Sequence, residues 1–169
     1  MTKIRGFEKI SFTQYKTDFK EIIDTYFADE YYYYDEIQLP KRATAFSAGY
    51  DVFSTVQFQL LPNEEIKIPT GIKAYMLHDE VLKAYPRSGL GFKYYLRFAN
   101  TIPIIDADYY NNLNNEGHIW VKLRNEGDKP MFIKKGEAIC QMIFEKYLLA
   151  DNDNYEGNKR IGGFGSTSK

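Results

Sequence analysis

From residue 37 onward the chain is a succession of short runs: "IQL", "YDVFSTVQFQL", "EIKIPTGIKAYM", "VLKAYP", "IPIIDADYY", "HIWVKLRNEG" and "MFIKKGEAICQMIFEKY". Each is rich in β-branched and aromatic residues and is broken by Gly, Pro, Asn or Asp, which is the signature of strands separated by turns. "LPNEE" and "NEGDKP" read as turns. Many short strands at close spacing must bury their apolar faces on one another. The prediction is an all-β sandwich, jelly roll or small barrel. The N-terminal part departs from this. "KIRGFEKISF", residues 3 to 12, reads as a strand, after which the period changes. Phe19, Ile22, Ile23, Tyr26 and Phe27 recur at helical spacing, so one apolar face of an amphipathic helix is expected there, packed on the body. "ADEYYYYDE" follows as an acidic, tyrosine-rich connector without a usable period.

Composition excludes several classes. The chain has 169 residues, enough for one domain with a real core and short for two. Its formal net charge is −1, so no global basic field points to nucleic acid. A single Cys, Cys140, rules out a disulfide framework within the chain. In "EAICQMIF" it reads as a small core hydrophobe rather than a nucleophile. No apolar run is long enough to span a bilayer, and the start lacks the apolar stretch of a secretory signal, so no membrane partner and a cytoplasmic location are expected. His78 and His118 have no metal-ligating neighbours in sequence, which argues against zinc.

Three stretches carry candidate chemistry. In "AYPRSGLGFKYYL" a strand runs into Pro86, then Arg87 and Ser88, then Gly89 and Gly91. The glycines allow close approach of backbone N–H groups to an anion, Ser88 adds a hydroxyl and Arg87 a planar fork. This is either a phosphate cradle or a tight turn with a surface Arg. In "NTIPIIDADYYNN" an apolar strand leads to Asp106. Asp108 is expected on the same face if the strand continues. Asp106 is either a poised general base or a turn cap. Gln141, polar within an apolar strand, is either a structural hydrogen bonder or a ligand contact. The chain ends in "RIGGFGSTSK". A loose glycine-rich end has no need of a lone Phe.

Taken in order, "AGYDVFS", "PRSGL", "IIDADYY", "GEAICQMIF" and "RIGGFGSTS" resemble the five motifs of the trimeric dUTPases, over residues 37 to 169. The resemblance implies a β-jelly-roll or distorted-barrel subunit that assembles as a homotrimer. It implies one domain over residues 1–159, with a helical insertion at about 13–36, and a mobile C-terminal arm, 160–169, that closes over the site. It also implies hydrolysis of dUTP to dUMP and pyrophosphate with Mg²⁺, at sites shared between subunits. By that likeness Asp106 activates the water that attacks the α-phosphorus. Arg87 holds that carboxylate or its surroundings. Ser88 and Gly89 contact phosphates, and Gln141 contacts the phosphates or their metal-bound water. Asp51 is an outer-shell metal residue acting through water. Asn100 reads uracil, Ile105 joins the substrate contacts, and Tyr109 lies against the deoxyribose. In the arm, Phe164 stacks on the base, Arg160 meets the γ-phosphate, Gly165 gives freedom, and Ser166 and Thr167 bond to phosphates. Pro103 stands where the family often has Gly, and the hairpin at 110–117 is longer. Two other readings share these residues: a dCTP deaminase of the same fold, and a phage-encoded regulator that binds a repressor through the 13–36 insertion.

Overall fold

A computed structural model of the chain describes residues 2–23, 34–153 and 155. Twelve strands and two helices appear among them. In chain order they are β1 (Gly6–Lys9), α1 (Phe12–Ile23), β2 (Lys41–Arg42), β3 (Tyr50–Phe53), β4 (Phe58–Leu60), β5 (Glu65–Pro69), β6 (Ile72–Tyr75), β7 (Glu80–Pro86), α2 (Ser88–Tyr94), β8 (Leu96–Phe98), β9 (Ile104–Asp106), β10 (Trp120–Asn125), β11 (Met131–Ile133) and β12 (Ala138–Lys146). The strands form sheets ordered β2-β3-β12-β7-β9, β5-β10-β8, β11-β4 and β1-β6. Every strand pair is antiparallel. The expected all-β architecture is therefore what forms.

The sheets close over one core because the strands alternate. In β10 Val121 and Leu123 face inward while Lys122 is exposed, and in β11 Met131 and Ile133 are buried while Phe132 is out. β12 breaks the alternation at Ile139 and Cys140, both fully buried. A register shift against β3 between Ala138 and Cys140 accounts for it, since a bulge lets two successive side chains point inward. Cys140 is the core residue its neighbours imply. Burial pushes its thiol pKa well up, and the adjacent Asp51 charge adds to this against Arg87.

The N-terminal segment is tied into the same core. β1 pairs with β6, shorter than the strand read from the sequence. On α1, Tyr15 and Phe19 are buried and their rings stack at 3.9 Å. Tyr34, the last of the tyrosine run, donates its hydroxyl to the Ile10 carbonyl at 2.8 Å. Its ring meets Phe12 and Tyr15 edge-on at 5.4 and 5.2 Å. The described part of the helix thus packs on the body, through Phe19 of the expected apolar face and through Tyr15. Tyr26 and Phe27, and the side chains of Ile22 and Ile23, lie outside the described residues. Among the described residues no helix is long and apolar enough to cross a membrane.

Candidate functional site

The sequence candidates fall into two groups at opposite ends of β7. At its C-terminal end, β3, β12 and β7 lie side by side and align Asp51, Gln141 and Tyr85 in one row. Arg87 follows β7 and reaches back: its Nε lies 3.1 Å from Oδ1 of Asp51, and its Nη1 is 3.5 Å from the Ala138 carbonyl. Gln141 donates Nε2 to the Pro86 carbonyl at 3.2 Å. Gly49 completes the group. A Cβ there would sit 2.3 Å from Oε1 of Gln141, so glycine is required for Gln141 to lie as it does. The half-exposed Asp51–Arg87 pair is worth at most about 1 kcal/mol of stability, so its value is orientation.

One reading of this stretch changes. The residues after Pro86 are not a simple tight turn, since Ser88 opens the short helix α2. Gly89 is exposed, and an added Cβ would meet no described residue within 4 Å. Among the described residues nothing therefore demands glycine at that position, which suits the approach of another group. Within the chain the ion partner of Arg87 is Asp51.

Asp106 lies elsewhere. It ends β9, directly opposite Val81 near the start of β7. At about 3.3 Å per residue, the run from Val81 to Arg87 separates the two groups by roughly 20 Å. Asp106 is exposed, while Ile105 is buried, so the Ile105 side chain belongs to the core. Asp108 does not continue the strand face. Residues Ala107–Tyr109 turn into a short 3₁₀ segment, which ends the two-residue alternation. Tyr109 is buried, and its hydroxyl donates to the His118 carbonyl at 2.8 Å and accepts from Asn115 Nδ2 at 2.8 Å.

Asn100 is exposed and lines a cavity of about 300 Å³ together with Ala99, Lys67, Trp120 and Lys122. Lys67 Nζ sits 4.2 Å from the centre of the Trp120 ring, a cation–π arrangement. Lys67 and Lys122 face each other across the β5–β10 pair. The sequence reading missed Trp120, Lys67 and Lys122. The signal for Trp120 and Lys122 was outward alternation in "HIWVKL" and for Lys67 that in "EIKIP", which becomes informative once β10 lies between β5 and β8, beside Asn100.

Pro103 is buried, and its carbonyl accepts from the Ala84 N–H at 3.1 Å, so the missing proline donor leaves the β7–β9 contact intact. Among the described residues no cluster of three or more His, Cys, Asp or Glu could hold a metal. Arg160, Phe164, Gly165, Ser166 and Thr167 lie outside the described residues.

Residues 35–168 match the family model described as dUTPase. This chain belongs to the dUTPase family. It is 43% identical over 166 residues to a deoxyuridine 5'-triphosphate nucleotidohydrolase of Lactococcus lactis subsp. lactis, covering 98% of each chain. Among solved structures it is similar to a dUTPase from Streptococcus mutans, at 37% identity and TM-score 0.66, covering 87% of this chain and 99% of the other. A dUTPase from phage phi11 of S. aureus, described as coordinating a structural Mg(II) ion, shares the fold at 19% identity and TM-score 0.57, covering 71% of this chain and 90% of that one. The dUTPase model begins only at residue 35, yet the Lactococcus protein aligns over nearly the whole chain. The N-terminal segment read as an insertion is shared with that relative.

Proposed function

We propose that the chain hydrolyses dUTP to dUMP and pyrophosphate. The observation that carries the reading is the pairing of an arginine–carboxylate–amide row, suited to a polyphosphate, with an exposed Asp106 and a base-sized cavity at Asn100, in a chain of the dUTPase family. Asp106 would orient a water molecule and take its proton as the water oxygen bonds to the α-phosphorus. The bond from that phosphorus to the α,β-bridging oxygen breaks, and pyrophosphate leaves with the electron pair. Arg87 and Ser88 would hold phosphate oxygens, and Gln141 would fix the strand end that presents Arg87. The cavity beside Asn100 would take the uracil ring, with Tyr109 beneath the sugar.

The two half-sites lie too far apart within one chain to act on one nucleotide. We therefore infer a homotrimer in which neighbouring copies each supply one half. Residues 160–169 would close over the nucleotide, with Phe164 on the base and Arg160, Ser166 and Thr167 on the phosphates. The donor set fits Mg²⁺ that is bound mostly through substrate: Asp51 is a lone carboxylate, already bonded to Arg87, which suits an outer-shell contact through water. When bound, the ion would neutralise phosphate charge.

The test is pyrophosphate release from dUTP, dCTP, dTTP and UTP. Release from dUTP alone supports the reading, and ammonia release from dCTP would replace it with the deaminase. Asp106→Asn and Arg87→Ala chains, each inactive alone, should recover about a quarter of wild-type turnover when refolded as an equal mixture, the chance that adjacent copies supply one intact half each. No recovery would show that the halves act within one copy.

A further inference from the structure

His118 lies where three parts of the molecule meet. Its side chain is fully buried. The Gly71 N–H donates to its Nε2 at 2.9 Å, which makes Nε2 an acceptor and leaves the proton on Nδ1. That nitrogen faces Oδ2 of Asp18, on α1, at 2.5 Å. Asp18 is held in turn by Gln14, whose Nε2 donates to Oδ1 at 2.9 Å. The imidazole packs against the Trp120 ring at 5.2 Å between centres, and the His118 carbonyl accepts the Tyr109 hydroxyl. One residue therefore links the N-terminal helix to a wall of the cavity beside Asn100 and to the segment that follows Asp106.

A second tie runs in parallel. Ser11 caps α1 by accepting from the Gln14 N–H at 3.1 Å. Its own N–H, which a capping box would pair with the side chain three residues on, instead donates to Glu116 at 2.9 Å, in the hairpin between Tyr109 and Trp120. Lys73 donates to Asn111 of that hairpin at 2.7 Å and pairs with Glu116 at 3.3 Å.

We propose that Asp18 and His118 are positioning residues for the nucleoside half of the site, setting Tyr109 and Trp120 from the N-terminal helix. This rests on the dUTP reading above. A helix that only filled space would need its apolar face alone. The buried Asp18–His118 contact instead fixes the ring plane and tautomer of the residue between the two walls. Truncating Asp18 leaves His118 Nδ1–H without its carboxylate and lets the imidazole turn against Trp120.

The experiment is steady-state hydrolysis of dUTP and UTP by the full chain carrying Asp18→Ala or Asp18→Asn, with Thr17→Ala on the exposed face of the same helix as control. Trp120 is the sole tryptophan of the chain, so its emission reads the cavity wall directly. Asp18→Ala is expected to raise KM for dUTP about tenfold with a much smaller change in kcat, the pattern of lost substrate positioning. It should also narrow the preference for dUTP over UTP and shift Trp120 emission. Asp18→Asn keeps an acceptor for Nδ1–H and should restore most of the KM and the emission; Asp18→Ser, too short to reach Nδ1, carries the test if the alanine variant does not fold. Wild-type KM, preference and emission in a folded Asp18→Ala or Asp18→Ser variant, with only thermal stability lowered, would overturn the proposal. If the wild-type chain neither hydrolyses dUTP nor changes Trp120 emission with dUMP, the underlying reading falls and the positioning role with it.

Discussion

The two half-sites are built by different means. The Asp51–Arg87–Gln141 group sits on three hydrogen-bonded strands, and a glycine without a side chain makes room for its amide. Its geometry comes from main-chain ladders, which have few alternatives. The group around Asn100, Tyr109 and Trp120 lies on strand ends, a 3₁₀ turn and a hairpin. It is held by side chains, several of them from the N-terminal segment. The end that would meet a chemically uniform polyphosphate is rigid by construction. The end that would tell one nucleoside from another depends on packing that a single substitution can loosen.

The largest expected effect falls where the comparison is sharpest. Asp106→Asn should lower dUTP turnover by about 10²–10⁴, the usual contribution of a general base. Its exposed position should leave the melting temperature unchanged. Near-wild-type turnover would move the base elsewhere, Asp108 being the nearest rival. Next, Arg87→Ala should cost about 10²–10³ in kcat/KM, as loss of one charge-stabilising donor does. Because the sheet, not the ion pair, holds Asp51, the fold should persist; unfolding would show that the pair is structural.

Gly49→Ala should drive Gln141 out of place and lower kcat/KM about tenfold, with an overpacking cost of about 1–3 kcal/mol. Unchanged kinetics would mean that the strand end tolerates a displaced amide. The smallest effect concerns pH. Burial depresses the His118 pKa, and the carboxylates of Asp18 and Glu116 oppose this while Lys67 adds to it. A histidine kept neutral by folding contributes stability above its ordinary pKa. That contribution is lost as pH falls below about 6.5, at about 1.4 kcal/mol per unit of depression. Urea unfolding between pH 8 and 5 should show the loss, and a folded His118→Gln variant should lack it. The same slope in both would assign it to other groups.

How much of this was legible in the sequence follows the same divide. Strands with strict alternation, such as "WVKLRN" and "MFI", announced themselves, and so did the helix that carries Phe19, because periodicity is a local signal; Tyr15, buried beside it, was not part of that reading. Asp106, Arg87 and Gln141 stood out as polar groups at the ends or within apolar runs. Which of them meet was not legible. The Arg87–Asp51 pair depends on β3 and β7 both pairing with β12, a long-range fact. The helix opening at Ser88 was hidden by two glycines, which weaken helix propensity while leaving a short turn stable in context. His118 read as a lone histidine because its partner lies a hundred residues earlier in the chain.

The contact between Ser11 and Glu116 has a consequence for descent. The N-terminal segment, before the family model begins, donates the Ser11 N–H and hydroxyl to Glu116 in the hairpin at 110–117. A recombinant that inherited one without the other would strand a helix start on one side and a carboxylate on the other. The two segments should therefore change together in related chains.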